Sequence, residues 1–70
     1  MKERGNKNFA TSYVILKNGV KVYTENTIDY IKERMKSEDE KVWLDIAAIV
    51  TEHVEPFDKK DIIEYGKVTQ

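Results

Sequence analysis

His53 is the chain's single histidine, and it stands among Glu52, Glu55, Asp58 and Asp61. One imidazole with several carboxylates is a donor set that suits a divalent cation. A cation site also needs those donors to converge, and this spacing matches no helical or loop cage. A solvated acidic segment is the simpler reading. Nucleophilic chemistry fares no better. Ser12 and Ser37 have no partner base in their surroundings, and Ser37 suits a helix cap. Gly5, Gly19 and Gly66 are scattered, so no phosphate-cradling loop is present. Without a positioned acid, base and nucleophile, the reading is of a non-enzymatic chain that needs no cofactor and no metal.

Binding chemistry has better candidates. Tyr13, Lys17, Lys21 and Tyr23 fall on one face of a pair of β-rich runs. Rings would stack bases while ammonium groups neutralise phosphates, so this face is a candidate nucleic-acid surface. Lysine and tyrosine are also ordinary residues for the solvent side of a hairpin, where lysine guards an edge against aggregation. Trp43, with Ile49 and Tyr65 beside it, is the candidate anchor for a protein partner or a second copy of the chain, because Trp and Tyr dominate interface energetics. The competing reading places Trp43 in the core, since Trp is buried on average. The acidic run Glu38-Asp39-Glu40 would face a basic partner or simply solvent.

The elements that must position these side chains begin with a hairpin. Tyr13-Val14-Ile15-Leu16-Lys17 and Val20-Lys21-Val22-Tyr23 flank Asn18-Gly19. That dipeptide suits a type I′ turn with both central residues at positive φ. Val14, Leu16, Val20 and Val22 share the face expected to be core; Tyr13, Lys17, Lys21 and Tyr23 share the other. A helix follows, capped by Asn26 or Thr27. Ile28, Ile31 and Met35 form its apolar stripe. Asp29 in the first turn and Arg34 and Lys36 in the last suit the helix dipole, and the helix should stop near Ser37.

Residues 41–54 match two templates. Val42, Leu44 and Ile46 alternate with Trp43 and Asp45, as in a strand, and a second strand then covers Ile49–Val54. Ser37-Glu38-Asp39-Glu40 is also a capping-box pattern, after which Trp43, Ala47, Val50 and Val54 recur at helical spacing. We adopt strands, with a ββαα chain as the alternative. Pro56 is expected to end the preceding element. Phe57 should anchor in the core. Asp58 begins either a helical turn through Glu64 that stops at Gly66, or a loop before a short edge strand at Asp61–Tyr65.

The fold class is therefore α+β in a small single domain: an N-terminal hairpin, one amphipathic helix and two or three further strands. Its core is Val14, Leu16, Val22, Ile28, Ile31, Met35, Val42, Leu44 and Ile46. Residues 1–8 read as a disordered basic tail, 9–66 as the domain and 67–70 as a frayed end. Seventy residues without cysteine rest on a small core and no disulfide. No apolar run is long enough to span a bilayer, and the start of the chain has no signal-peptide character, so the expectation is a soluble cytoplasmic protein without membrane partners. The net charge is −1, yet residues 1–36 carry eight Lys/Arg against four Asp/Glu, and residues 37–70 four against nine. Segregated charge suggests two faces for different partners or head-to-tail self-association, a possible homodimer; the alternative is that the halves interleave on folding.

Lys17-Asn18-Gly19, the helix Ile28 to Met35, Val42-Trp43-Leu44 and Asp61-Ile62-Ile63 occur in an order that resembles small uncharacterised accessory proteins of phages and prophages. The resemblance implies a small α+β domain that binds something, and it carries no catalytic residue.

Overall fold

The computed structural model describes residues 2–48 and 53–69. Over these residues the chain forms β1 (Glu3–Arg4), β2 (Ser12–Leu16), β3 (Lys21–Thr24), α1 (Ile28–Lys36), β4 (Lys41–Asp45), β5 (Val54–Asp58) and β6 (Ile62–Lys67). Short 3-10 turns lie at Lys7–Phe9 and Lys59–Asp61. The strand order β1-β3-β2-β6 makes one sheet and β4-β5 a second. A bridge between Thr24 and Ile46 joins them. The chain is thus α+β, with one helix and three strands after the hairpin.

The hairpin pairs Val14 with Val22 and Tyr13 with Tyr23. Its turn differs from the expected type I′. No non-glycine residue has positive φ among those described; only Gly19, at 90°, does in this loop. The Gly19 N–H donates to the Leu16 carbonyl at 2.8 Å, and the Leu16 N–H donates to Val20 at 2.9 Å. This is a three-residue loop, a turn with Lys17 and Asn18 at its centre followed by glycine in the left-handed region. Asn18 keeps negative φ because its Oδ1 accepts the Val20 N–H at 3.1 Å, a local bond that stabilises the turn.

Thr27 caps the helix, its Oγ1 accepting the Tyr30 N–H at 3.2 Å. Asn26, the other candidate cap, works elsewhere. Its Oδ1 accepts the Asp45 N–H at 2.7 Å and the Thr24 hydroxyl at 2.9 Å. The Glu25 N–H donates to the Asp45 carbonyl and the Tyr30 hydroxyl to the Trp43 carbonyl. At Trp43 and Asp45, the edge of β4 not paired with β5 therefore finds partners in α1 and the segment before it.

The strand reading of residues 41–54 holds for Lys41–Asp45. The second strand expected at Ile49–Val54 lies for the most part outside the described residues, and the partner of β4 is Val54–Asp58. Pro56 sits in the middle of that partner rather than ending an element. The Ile46 N–H donates to His53 and the Lys59 N–H to Glu40. With Trp43 opposite Pro56, the alternation of antiparallel bonding puts that pair at a non-hydrogen-bonded position. The missing proline N–H would have pointed away from β4, where an edge strand tolerates it.

After Asp58 the 3-10 turn leads into β6, so the strand alternative is the one formed, extended to Lys67. Gly66 is inside this strand, opposite Tyr13, and not a helix stop. The segment read as a polar tail contains β1, which runs parallel to β3 with Glu3 opposite Lys21 and Arg4 opposite Val22. Gly5, at φ 86°, then lets the chain pass the junction of the two sheets: a Cβ there would lie 2.8 Å from the Tyr23 carbonyl oxygen and 3.1 Å from that of Ala47.

The core contains Val14, Val22, Ile31, Val42, Leu44, Ile46, Phe57 and Ile62, with Leu16, Val20, Tyr30, Met35 and Tyr65 packed against it. Ile28, expected in the apolar stripe, is only half-buried. Tyr23, expected on the outer face, is 4% exposed. β1 lies beside it, and its hydroxyl donates to Glu3 at 2.9 Å. The charge halves interleave: Arg4 pairs with Glu55, Lys17 with Asp61 and Arg34 with Asp39. No helix among the described residues is long and apolar enough to cross a membrane.

Candidate binding surfaces around Trp43 and the lysine cleft

Trp43 lies between two fully buried residues, Val42 and Leu44, and is itself 54% exposed. Strand alternation produces this contrast: one face of the β4-β5 ribbon packs on the core and the other meets solvent. Pro56, directly across, and Val54, two residues before it, are also exposed on that outer face. The Lys41–Asp58 ion pair, at 3.0 Å, closes one end of the patch. The Lys41 ammonium group beside Asp58 holds that carboxyl below its ordinary range.

Trp43 also borders a groove of about 680 Å³ with Tyr30 and Arg34 of α1 and residues Glu38 to Lys41 of the following loop. The charges in this groove are unevenly matched. Arg34 pairs with Asp39, and Lys41 with Asp58. Glu38 and Glu40 are exposed and, among the described residues, meet no cation. The result is an aromatic wall beside two free carboxylates. Such a place suits a guanidinium or ammonium group, which gains from the face of a Trp ring and from the nearby negative charge.

Tyr65, grouped with Trp43 by the sequence, belongs to the other sheet. It pairs with Val14 and packs against the core. Ile49 lies outside the described residues.

The tyrosine and lysine face is partly assembled. Tyr13 and Tyr23 are cross-strand neighbours, and the Lys21 ammonium sits 4.4 Å from the centre of the Tyr13 ring and 5.3 Å from that of Tyr23. Lys17 is not with them; it pairs with Asp61 at 3.3 Å. Lys17 lies beyond the end of β2, at the first central position of the hairpin turn, and so leaves the row. Lys7 and Lys67 join instead, lining a cleft of about 260 Å³ with Tyr13, Lys21, Tyr23, Val68 and Thr69. Sequence reasoning gives Lys7 only a non-specific attraction for phosphate from the tail and gives Lys67 no role, because each lies in a segment read as a disordered or frayed end. The Glu3 hydrogen bond, and secondly burial, push the Tyr23 phenol above its ordinary value.

Of the residues weighed for chemistry, Glu52 lies outside the described residues, and the others do not converge on one site. Glu55 takes the Arg4 guanidinium and has His53 Nε2 at 3.4 Å. Arg4 in particular holds that carboxyl below its usual range. Asp58 and Asp61 face Lys41 and Lys17. No group of three or more His, Cys, Asp or Glu among the described residues is arranged to hold a metal ion. Ser12 is fully buried and its hydroxyl has no hydrogen-bond partner, so it has neither an activating base nor access to a substrate. Ser37 ends the helix, its hydroxyl donating to the Arg34 carbonyl at 2.8 Å.

No protein-family model, curated protein or solved structure matches this chain.

Proposed function

We propose that this chain is a non-enzymatic accessory module that binds a partner protein through Trp43 and the adjoining groove, and that the partner presents a basic segment. The observation that carries this reading is the half-exposed indole between two fully buried neighbours, opening on a groove with uncompensated Glu38 and Glu40. A large apolar ring left in water forgoes burial energy of about 25 cal/mol per Å². A partner recovers it. An arginine laid on Trp43 between the two carboxylates would combine ring contact with charge complementarity, which sets specificity and association rate.

Trp43 is the chain's single tryptophan, so its own fluorescence reports on the groove. A short Arg-rich peptide should shift or quench that emission saturably, and an acidic peptide of equal length should not. Glu38→Gln with Glu40→Gln should weaken the response. In pull-downs, Trp43→Ala should lose a nuclease-resistant partner while the domain stays folded. Leu44→Ala, from a fully buried site, should cost about 2–5 kcal/mol of stability. If Trp43→Ala unfolds the domain as Leu44→Ala does, or the basic peptide leaves the emission unchanged, the reading fails. A change of sedimentation with chain concentration that Trp43→Ala abolishes would instead make a second copy the occupant.

A further inference from the structure

The cleft beside the hairpin brings together lysines from distant parts of the chain: Lys7 from the first 3-10 turn, Lys21 from β3 and Lys67 from the last position of β6. None of them pairs with a carboxylate among the described residues, whereas Lys17 and Lys41 do. The chain has thirteen Asp and Glu against twelve Lys and Arg, so acids to pair with are not scarce. The acids that touch the two tyrosines keep their negative charge, but they form no ion pair with these lysines. Glu3 accepts the Tyr23 hydroxyl, and Glu64 accepts the Tyr13 hydroxyl at 3.4 Å. Like charges gathered in one cleft repel, and a bound anion would offset that cost.

The two rings decide which anion. The Lys21 ammonium lies over both, and Tyr23 is almost wholly buried. A nucleobase cannot reach those faces without displacing Lys21, so ring stacking is not what the cleft offers. It offers a lysine whose position is fixed by two cation–π contacts, with a second and a third at the lip, in a space of about 260 Å³. We infer that this cleft binds the phosphate group of a ligand, taking a compact oxyanion of two or more negative charges between Lys7, Lys21 and Lys67. The phosphate can belong to a free diphosphate or to a nucleic-acid backbone, recognised in either case by the same ammonium donors.

The test is NMR titration of the full chain at low ionic strength, with inorganic pyrophosphate in one arm and oligothymidylate in the other. Saturable one-site shifts at Lys7, Lys21 and the Tyr13 and Tyr23 rings are expected in at least one arm. Lys7→Gln combined with Lys21→Gln should weaken that binding at least tenfold. Lys32→Gln with Lys36→Gln, which removes the same charge from the exposed side of α1, should change it less than twofold. Lys7→Gln alone alters an exposed side chain outside the sheets and should still weaken binding severalfold, which guards against misfolding of the double variant. Pyrophosphate displacing oligothymidylate from the same residues identifies a backbone site; pyrophosphate binding alone identifies a free-phosphate site. No saturable shift in either arm, or equal weakening by the α1 control, overturns the inference.

Discussion

Replacing Gly66 by alanine tests the geometry that holds the tyrosine and lysine face in place. Gly66 is directly opposite Tyr13 in the β2-β6 pairing. A Cβ at this position would lie 2.6 Å from the Tyr13 hydroxyl oxygen and 2.9 Å from two ring carbons. Those separations are well inside van der Waals contact, so the ring has to move. It is not free to do so at no cost: Lys21 rests on its face and Tyr23 is its cross-strand neighbour. Tyr13 is half-buried and lines the open cleft, so its ring can move aside at about 1 kcal/mol, the low end of the cost of an added methyl. With Tyr13 removed the clash disappears, and Gly→Ala in a strand should then gain roughly 0.5–1 kcal/mol from the glycine's lost backbone entropy. The effect of one substitution therefore reverses sign with the other, a coupling of about 1.5–2 kcal/mol, within the range for residues in direct contact. Urea denaturation of the four proteins in the cycle, followed by circular dichroism, measures it. In thermal melts the single variant should fall by roughly 4–8 °C per kcal/mol for a domain of this size. If Gly66→Ala is neutral or stabilising while Tyr13 is present, the ring does not lie across the glycine, and the arrangement of the cleft falls with it.

Half-buried Asn26 and fully buried Ser12 should respond oppositely to truncation. Asn26→Ala strands the Asp45 N–H and the Thr24 hydroxyl and should cost about 1–3 kcal/mol, whereas Ser12→Ala removes a hydroxyl that has no partner and should be neutral or stabilising in the same denaturation assay. Stability should also fall in acid. Glu55 and Asp58 have native pKa values below their unfolded ones, chiefly through hydrogen bonds from Arg4 and Lys41. The unfolded chain therefore binds more protons in that interval; the stabilisation is full above about pH 5 and is lost as pH falls through the native values. Arg4→Gln should flatten the Glu55 part of the decline, read as denaturation midpoint against pH. Tyr23 acts at the other end. Its raised pKa gives stability present below about pH 10 and lost as pH rises through the native value, and Tyr23→Phe should remove that loss.

Local chemistry made much of this fold legible in the sequence. Asn18-Gly19 between two β-rich runs marks a hairpin whatever its turn type, because only glycine takes the left-handed position cheaply. Thr27 and the Ile31/Met35 stripe mark a helix because capping and 3.6-residue periodicity are properties of the segment alone. Alternation at Val42, Leu44 and Ile46 marks the core side of β4 once the strand template is adopted, but it leaves open whether Trp43 on the opposite side is exposed or covered. The partners of these elements were not legible. Pro56 signals termination locally, yet pairing with β4 at a non-hydrogen-bonded position leaves its missing N–H without consequence. Glu3-Arg4 reads as tail because its apolar content is nil; only the open edge of β3 and the Tyr23 hydroxyl give it a place. The lysine cleft has the same origin. Lys21 and the two tyrosines are neighbours by hairpin register, which sequence specifies, while Lys7 and Lys67 reach them only after chain ends some sixty residues apart are folded onto one site. Periodicity and turn chemistry act within a few residues, so they determine elements and faces. Which faces meet, and which charges are left without a partner when they do, depends on long-range packing, and that only the tertiary structure decides.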